Sequence, residues 1–219
     1  MSFSLNHQSY LHVFAFNWLH VSAIAMSQPD HKPPLQKFHS WAKDAFTMGC
    51  NSSLELDRPF IPTPKLQTHF QDLRHIQQLL EALFPDSELP VHPEEIQRKY
   101  SKVFAILLLI GRGEYIRCFV QHDGLCDQYL PFRSRPTRFP TTSEHPDWFD
   151  SFCNRQWAFC AHFFLENMEK RFEPEEILPI IKIETLAEGT SAKTYKITLH
   201  ESYNGLRSRD ARSLVIPAS

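Results

Sequence analysis

Apolar residues recur at helical spacing through most of this chain and change to strand-like runs near its C-terminal end. The stretch from Phe38 to Phe46 has helical spacing inside an otherwise irregular, proline-rich lead-in over residues 27 to 64. From Lys65 to Phe84 the positions Leu66, Phe70, Leu73, Ile76, Leu79, Leu80 and Leu83 recur at three and four. That spacing predicts one amphipathic helix of about five turns, stopped by Pro85. Pro93 opens a second helix, with Glu94 and Glu95 in the first turn, where the positive helix end favours them. Its continuation from Tyr100 through Val103, Phe104 and Ile106 to Ile110 is apolar almost all round, as a buried helix requires. Gly111-Arg112-Gly113 ends it, and Glu114 to Val120 reads equally as a short strand or as the start of another helix.

Between Leu130 and Asp147, Pro131, Pro136, Pro140 and Pro146 forbid regular structure and predict a long surface loop. Its basic residues Arg133, Arg135 and Arg138 read as solvated, or as a dock for an acidic or phosphorylated partner. Asp147 or Asp150 can cap a following helix that carries Trp148, Phe149, Phe152, Trp157, Phe159, Phe163, Phe164 and Met168 before Pro174. So many aromatics predict the centre of a core, or a face that packs on another protein. Ile180, Ile181 and Ile183, then Tyr195, Ile197 and Leu199, form two β-prone runs on either side of Gly189, which predicts a hairpin.

The expected fold class is therefore α+β: a mainly helical region packed around Leu107 and Trp157, followed by a short C-terminal antiparallel β-hairpin. The expected organisation is a weakly packed segment over 1–35, a helical region over 36–176, the hairpin over 177–206 and a tail over 207–219.

Composition narrows the function classes. With 219 residues, 42% hydrophobic and 13% aromatic, the chain has enough apolar material for one sizeable core. A formal net charge of -2, with Lys and Arg scattered, gives no electrostatic footprint for nucleic acid or an acidic membrane. The five cysteines include no C-x-x-C pair and read as free, mostly buried thiols of an intracellular protein, cytoplasmic or nuclear. The 12 histidines form neither H-x-x-x-H nor H-E-x-x-H, so no metal site is expected. Tyr10 to Met26 is apolar, but no Lys or Arg precedes it and it is marginal in length for a membrane span. It reads as a signal or anchor, as an aromatic arm, or as an upstream extension of a chain whose natural start is Met26. A thiol and base pair of Cys153 or Cys160 with His162 is disfavoured, because Cys160 and His162 are two apart and face different sides of a helix.

The chemistry concentrates in Leu186-Ala187-Glu188-Gly189-Thr190-Ser191-Ala192-Lys193-Thr194-Tyr195-Lys196. Small residues at a hairpin turn let backbone N–H groups approach phosphate oxygens, which Gly189 with Thr190 and Ser191 could provide. Lys193 and Lys196 add positive charge.

This segment resembles the start of a protein-kinase domain, whose motif G-x-G-x-x-G-x-V falls on Ala187, Gly189, Ala192 and Thr194. The wider context, from Phe152-Cys153-Asn154-Arg155-Gln156-Trp157 through Ile177-Leu178-Pro179-Ile180 to His200-Glu201-Ser202-Tyr203-Asn204, is similar to fungal protein-kinase-like proteins over about residues 36 to 210. The resemblance implies ATP contact, weak at most, at Ala187, Gly189, Thr190, Ser191, Ala192, Lys193 and Thr194. Alanine replaces two of the motif's glycines, and it does not take positive φ cheaply. A lysine of the V-A-I-K type is missing, since Leu214-Val215-Ile216 is followed by Pro217, and neither H-R-D nor D-F-G follows. The expectation is thus a truncated, catalytically inactive kinase-like fragment, with Ala211 to Ser219 read as a read-through or mis-spliced tail. The alternative is a helical protein–protein interaction module that binds no nucleotide.

Overall fold

The computed structural model describes residues 33–122, 124–135, 139, 147–166, 170–188 and 193–206. Helix α1 (Pro34–Ala45) starts with proline in its first turn and buries Phe38, Ala42 and Ala45 along one side. Strands β1 (Thr47–Gly49) and β2 (Arg58–Phe60) pair antiparallel, with Thr47 opposite Phe60. Asn51 organises the turn between them. Its Oδ1 accepts from the N–H of Ser53 and Glu55, and its Nδ2 donates to the Glu55 carboxylate. That network holds Leu54 at a φ of 62°, which a branched side chain adopts only at a cost.

The single helix expected over Lys65–Phe84 is two, α2 (Thr63–His69) and α3 (Leu73–Leu83). The apolar stripe survives the break, since Leu66, Phe70, Ile76, Leu79 and Leu80 are all buried. Two polar side chains make the break. The Asp72 carboxylate accepts from the Arg74 N–H and caps α3, and the Gln97 amide donates to the carbonyls of Phe70 (2.7 Å) and Gln71 (3.2 Å).

A helix does begin at Pro93, but it is interrupted. Residues Pro93–Glu95 (α4) lead into a π-helical stretch, Ile96–Tyr100, and then into α5 (Ser101–Leu109). At the junction the carboxylate of Asp127 accepts from the backbone N–H of Lys102 and of Val103, both at 2.9 Å. It acts as an N-cap delivered from a distant turn, Asp127–Tyr129. Helix α5 is buried nearly all round, as its pattern predicts, with Val103 to Leu108 inside the core. Gly111 ends it at a φ of 67°, its N–H bonded to Leu108 O and that of Arg112 to Leu107 O.

The ambiguous stretch after Gly113 is helical: α6 (Ile116–Val120) turns Ile116 and Phe119 inward. Phe139 is buried and Phe132 packs against the core, so the segment expected to cross the surface also sends aromatics inward.

Helix α7 (Trp148–Gln156), with a 3-10 turn over Trp157–Phe159, is shorter than the expected run to Met168. Its end is set from outside. The Gln156 amide bonds both the N–H (2.7 Å) and the carbonyl (2.9 Å) of Phe132, and Ala158 O accepts from the Ile61 N–H at 2.8 Å. Asp147 stands at the N-cap position of α7 without a side-chain cap bond. Phe164, which the aromatic run places on that helix, instead forms β3 (Phe164–Leu165) with its neighbour.

The last elements are β4 (Ile180–Glu188), β5 (Lys193–Leu199) and β6 (Asn204–Gly205). Strands β4 and β5 form the expected antiparallel hairpin, and β6 runs parallel to β3. The fold is thus α+β. Its core lies around α5, where Phe119, Phe149 and Phe152 meet ring on ring. Trp157 is not part of that centre: it is half-buried in a small second cluster with Phe60, Ile177 and Tyr203.

Candidate functional site at the C-terminal hairpin

Strands β4 and β5 present two unlike faces. One carries Ile183, Tyr195, Ile197 and Leu199, packed with Ile180 on Cys50, Phe164, Phe172 and Leu178. The other carries Lys182, Glu184, Thr194, Lys196 and Thr198. The sequence of β4 does not alternate, and two β-bulges correct its phase. Between Ile180 and Lys182, and again between Thr185 and Ala187, β4 advances two residues while β5 advances one. Ile181 and Leu186 are the extra residues, and they stand out at 43% and 55% exposure. Without the first bulge, Lys182 would point into the apolar side and every later residue of β4 would change face.

The base of the hairpin is fastened by backbone. Cys50 and Leu178 exchange N–H···O bonds of 3.0 and 2.9 Å, and His200 N–H donates to Pro179 O at 2.8 Å. Gly49 is required at this junction, since a Cβ there would lie 2.7 Å from Leu178 O. Beyond β5, the Tyr203 hydroxyl accepts from the Thr63 N–H at 3.0 Å and shares a hydrogen bond with Thr63 Oγ1.

Of the residues expected to contact ATP, the register sets Ala187 opposite Thr194 and starts β5 with Lys193 opposite Glu188. Gly189, Thr190, Ser191 and Ala192 lie outside the described residues. Lys196 is directly opposite Glu184, whose carboxylate also receives Lys182. The contacts are 3.1 Å from Lys196 Nζ to Oε2 and 2.5 Å from Lys182 Nζ to Oε1. Hydrogen bonds from these two ammonium groups hold the Glu184 carboxyl below its ordinary range.

Three of the thiols are poor nucleophiles. Burial first, and nearby carboxylates second, push Cys50 up to about 12 and Cys153 up to about 11, and burial alone dominates at Cys160, pushed up to about 12. His162 lies instead beside Lys170 (3.5 Å to Nζ), which is paired with the Glu176 carboxylate. Arg133 of the basic loop is engaged with Glu173 at 3.1 Å and lies over the Trp157 ring. Among the described residues no group of three or more His, Cys, Asp or Glu could hold a metal ion, and no helix is long and apolar enough to cross a membrane.

Sequence reasoning missed Asn51, Asp127, Gln156 and Tyr203, the polar side chains that fix the scaffold. Asp127, Gln156 and Tyr203 act on backbone groups of another segment, and no local pattern announces such a partner, whereas Asn51 acts on Ser53 and Glu55 within its own turn. Compared with protein-family models, with curated proteins and with solved structures, the chain finds no match in any of the three.

Proposed function

We propose that the β4–β5 hairpin is a degenerate nucleotide loop of the protein-kinase type, carried on the helical region, with ATP held weakly and no phosphoryl transfer. The observation that supports this reading is the strand–loop–strand register. It brings Ala187 and Thr194 opposite each other as the strands lead into and out of the Gly189 segment, the arrangement in which backbone N–H groups can cradle phosphates. The chain's own residues would supply N–H donors around Gly189 and positive charge from Lys193. Phosphoryl transfer needs an aspartate and a lysine positioned around Mg²⁺, and this chain has no lysine of the V-A-I-K type and no H-R-D or D-F-G.

The test is thermal shift or calorimetry with Mg-ATP on the full chain. Stabilisation by Mg-ATP that is lost in Gly189→Trp supports the reading, and no response in the wild type refutes it.

A second reading, a protein-interaction module, draws on a different observation. Trp148, Phe149, Phe152 and Phe159 are buried in the protein's own core, whereas Phe163 and Leu165 are 47% and 56% exposed. On this reading the contact surface is the β3 edge and not the aromatic helix. Phe163→Ser/Leu165→Ser would then abolish partner binding while leaving the melting temperature unchanged.

A further inference from the structure

We propose that Lys182 and Lys196 form a polyphosphate-binding pair on the polar face of the hairpin, and that Glu184 occupies it as a tethered competitor. This rests on the nucleotide-loop reading above and adds a regulating residue to it.

The geometry is that of a bridged anion. One carboxylate gives one oxygen to each ammonium, Oε1 to Lys182 and Oε2 to Lys196, so the two cations lie within reach of a single small anion. A phosphoryl group offers oxygens at a comparable spacing with more negative charge. It can therefore replace the carboxylate without moving either strand. The register keeps the arrangement in place: Glu184 and Lys196 are a directly opposed cross-strand pair, and the first bulge turns Lys182 onto the same face. Thr194 and Thr198 flank Lys196 on that face, adding two hydroxyl groups that can donate to phosphate oxygens.

All three charged side chains are solvent-facing, at 64% for Lys182, 45% for Lys196 and 38% for Glu184. Exchange with an external anion thus needs no opening of the core. The same exposure means that the internal pairs are weak enough to be displaced. In the present arrangement Glu184 cancels one of the two positive charges, so the face attracts phosphate less than its lysines alone would.

The experiment is calorimetric titration of the full chain with sodium tripolyphosphate at low salt. It compares wild type, Glu184→Gln, and the triple variant Glu184→Gln/Lys182→Ala/Lys196→Ala, with Glu184→Ala as a second way to remove the carboxylate. Glu184→Gln and Glu184→Ala are expected to bind about tenfold more tightly than wild type. The gain should vanish in the triple variant. Unchanged affinity in both single variants, or a gain that survives loss of both lysines, overturns the proposal. The two readings fail separately. A Gly189-dependent Mg-ATP response without a gain on removing Glu184 keeps the loop and discards the lysine pair. A gain without any Mg-ATP response does the reverse.

Discussion

Helix α5 and the β4–β5 hairpin are built on opposite terms. The helix is enclosed on nearly every side, so its residues answer to packing, and its apolar run leaves little room for chemistry. The hairpin buries one face and leaves the other to Lys182, Glu184 and Lys196, so half of it is free of packing demands. Packing therefore governs α5 on nearly every side, while one face of the hairpin is given over to solvent-accessible charge. Substitutions that probe this contrast should separate by size of effect.

The largest loss is expected in the helical core. Phe152→Ala removes a fully buried ring that stacks on Phe149 and meets Phe119 at a tilt, and it should lower unfolding stability by about 3–5 kcal/mol in urea titration. Asp127→Ala comes next. It strands the N–H groups of Lys102 and Val103 in a buried junction, and a loss of about 2 kcal/mol by the same measurement is expected. A loss under about 0.5 kcal/mol would mean that α5 does not depend on this cap.

The same carboxylate gives the core a pH signature. Burial pushes Asp127 up to about 6 from an ordinary 3.8, although the two backbone donors and Lys102 oppose the shift. The native state then keeps a proton that the unfolded chain releases, so stability tied to this group is full below about 3.8 and is lost as pH rises through about 6. His69 has the opposite sign. Burial first, and His75 second, push it down to about 4, so its contribution is full above 6.5 and is lost as pH falls toward 4. The two titrations partly offset each other in the wild type. In melting experiments from pH 7 to pH 4, the advantage of wild type over Asp127→Asn should widen steadily, and a constant difference would remove Asp127 from the account.

At the hairpin the effects should be smaller. Tyr203→Phe removes the acceptor for the Thr63 N–H and should cost about 1 kcal/mol, read as faster hydrogen exchange at Thr63. Leu186→Thr alters an exposed bulge residue and should stay within about 0.5 kcal/mol in urea titration.

What could be read in the sequence follows the same division. The period of three and four in Leu66 to Leu83 marks the buried stripe correctly, because burial of one face imposes that period. It is silent about the break at Phe70–Asp72, since the stripe runs across both helices and the carbonyls freed there are taken by Gln97 from elsewhere. Likewise α7 looks longer in sequence than it is, because Phe163 and Phe164 continue the apolar run while the helix is ended by partners at Phe132 and Ile61. The hairpin was legible from its β-branched residues on both sides of Gly189. Its facing was not, because the bulges at Ile181 and Leu186 exist to correct a pattern that reads as faulty alternation. For the site, the order of small residues and lysines is plain in the sequence. The pairing of Glu184 with both lysines depends on register, which only the folded strands define.

The bond between Tyr203 and Thr63 spans 140 positions of the chain. Thr63 opens α2, close to the start of the described fold, and its N–H finds its acceptor on a residue near the end of that fold. During synthesis this donor must therefore stay turned to water until β5 and the turn that carries Tyr203 have left the ribosome. The long loop this contact closes makes it a late and slow event, so the final locking of the N-terminal helices is timed by the arrival of the C-terminal strands.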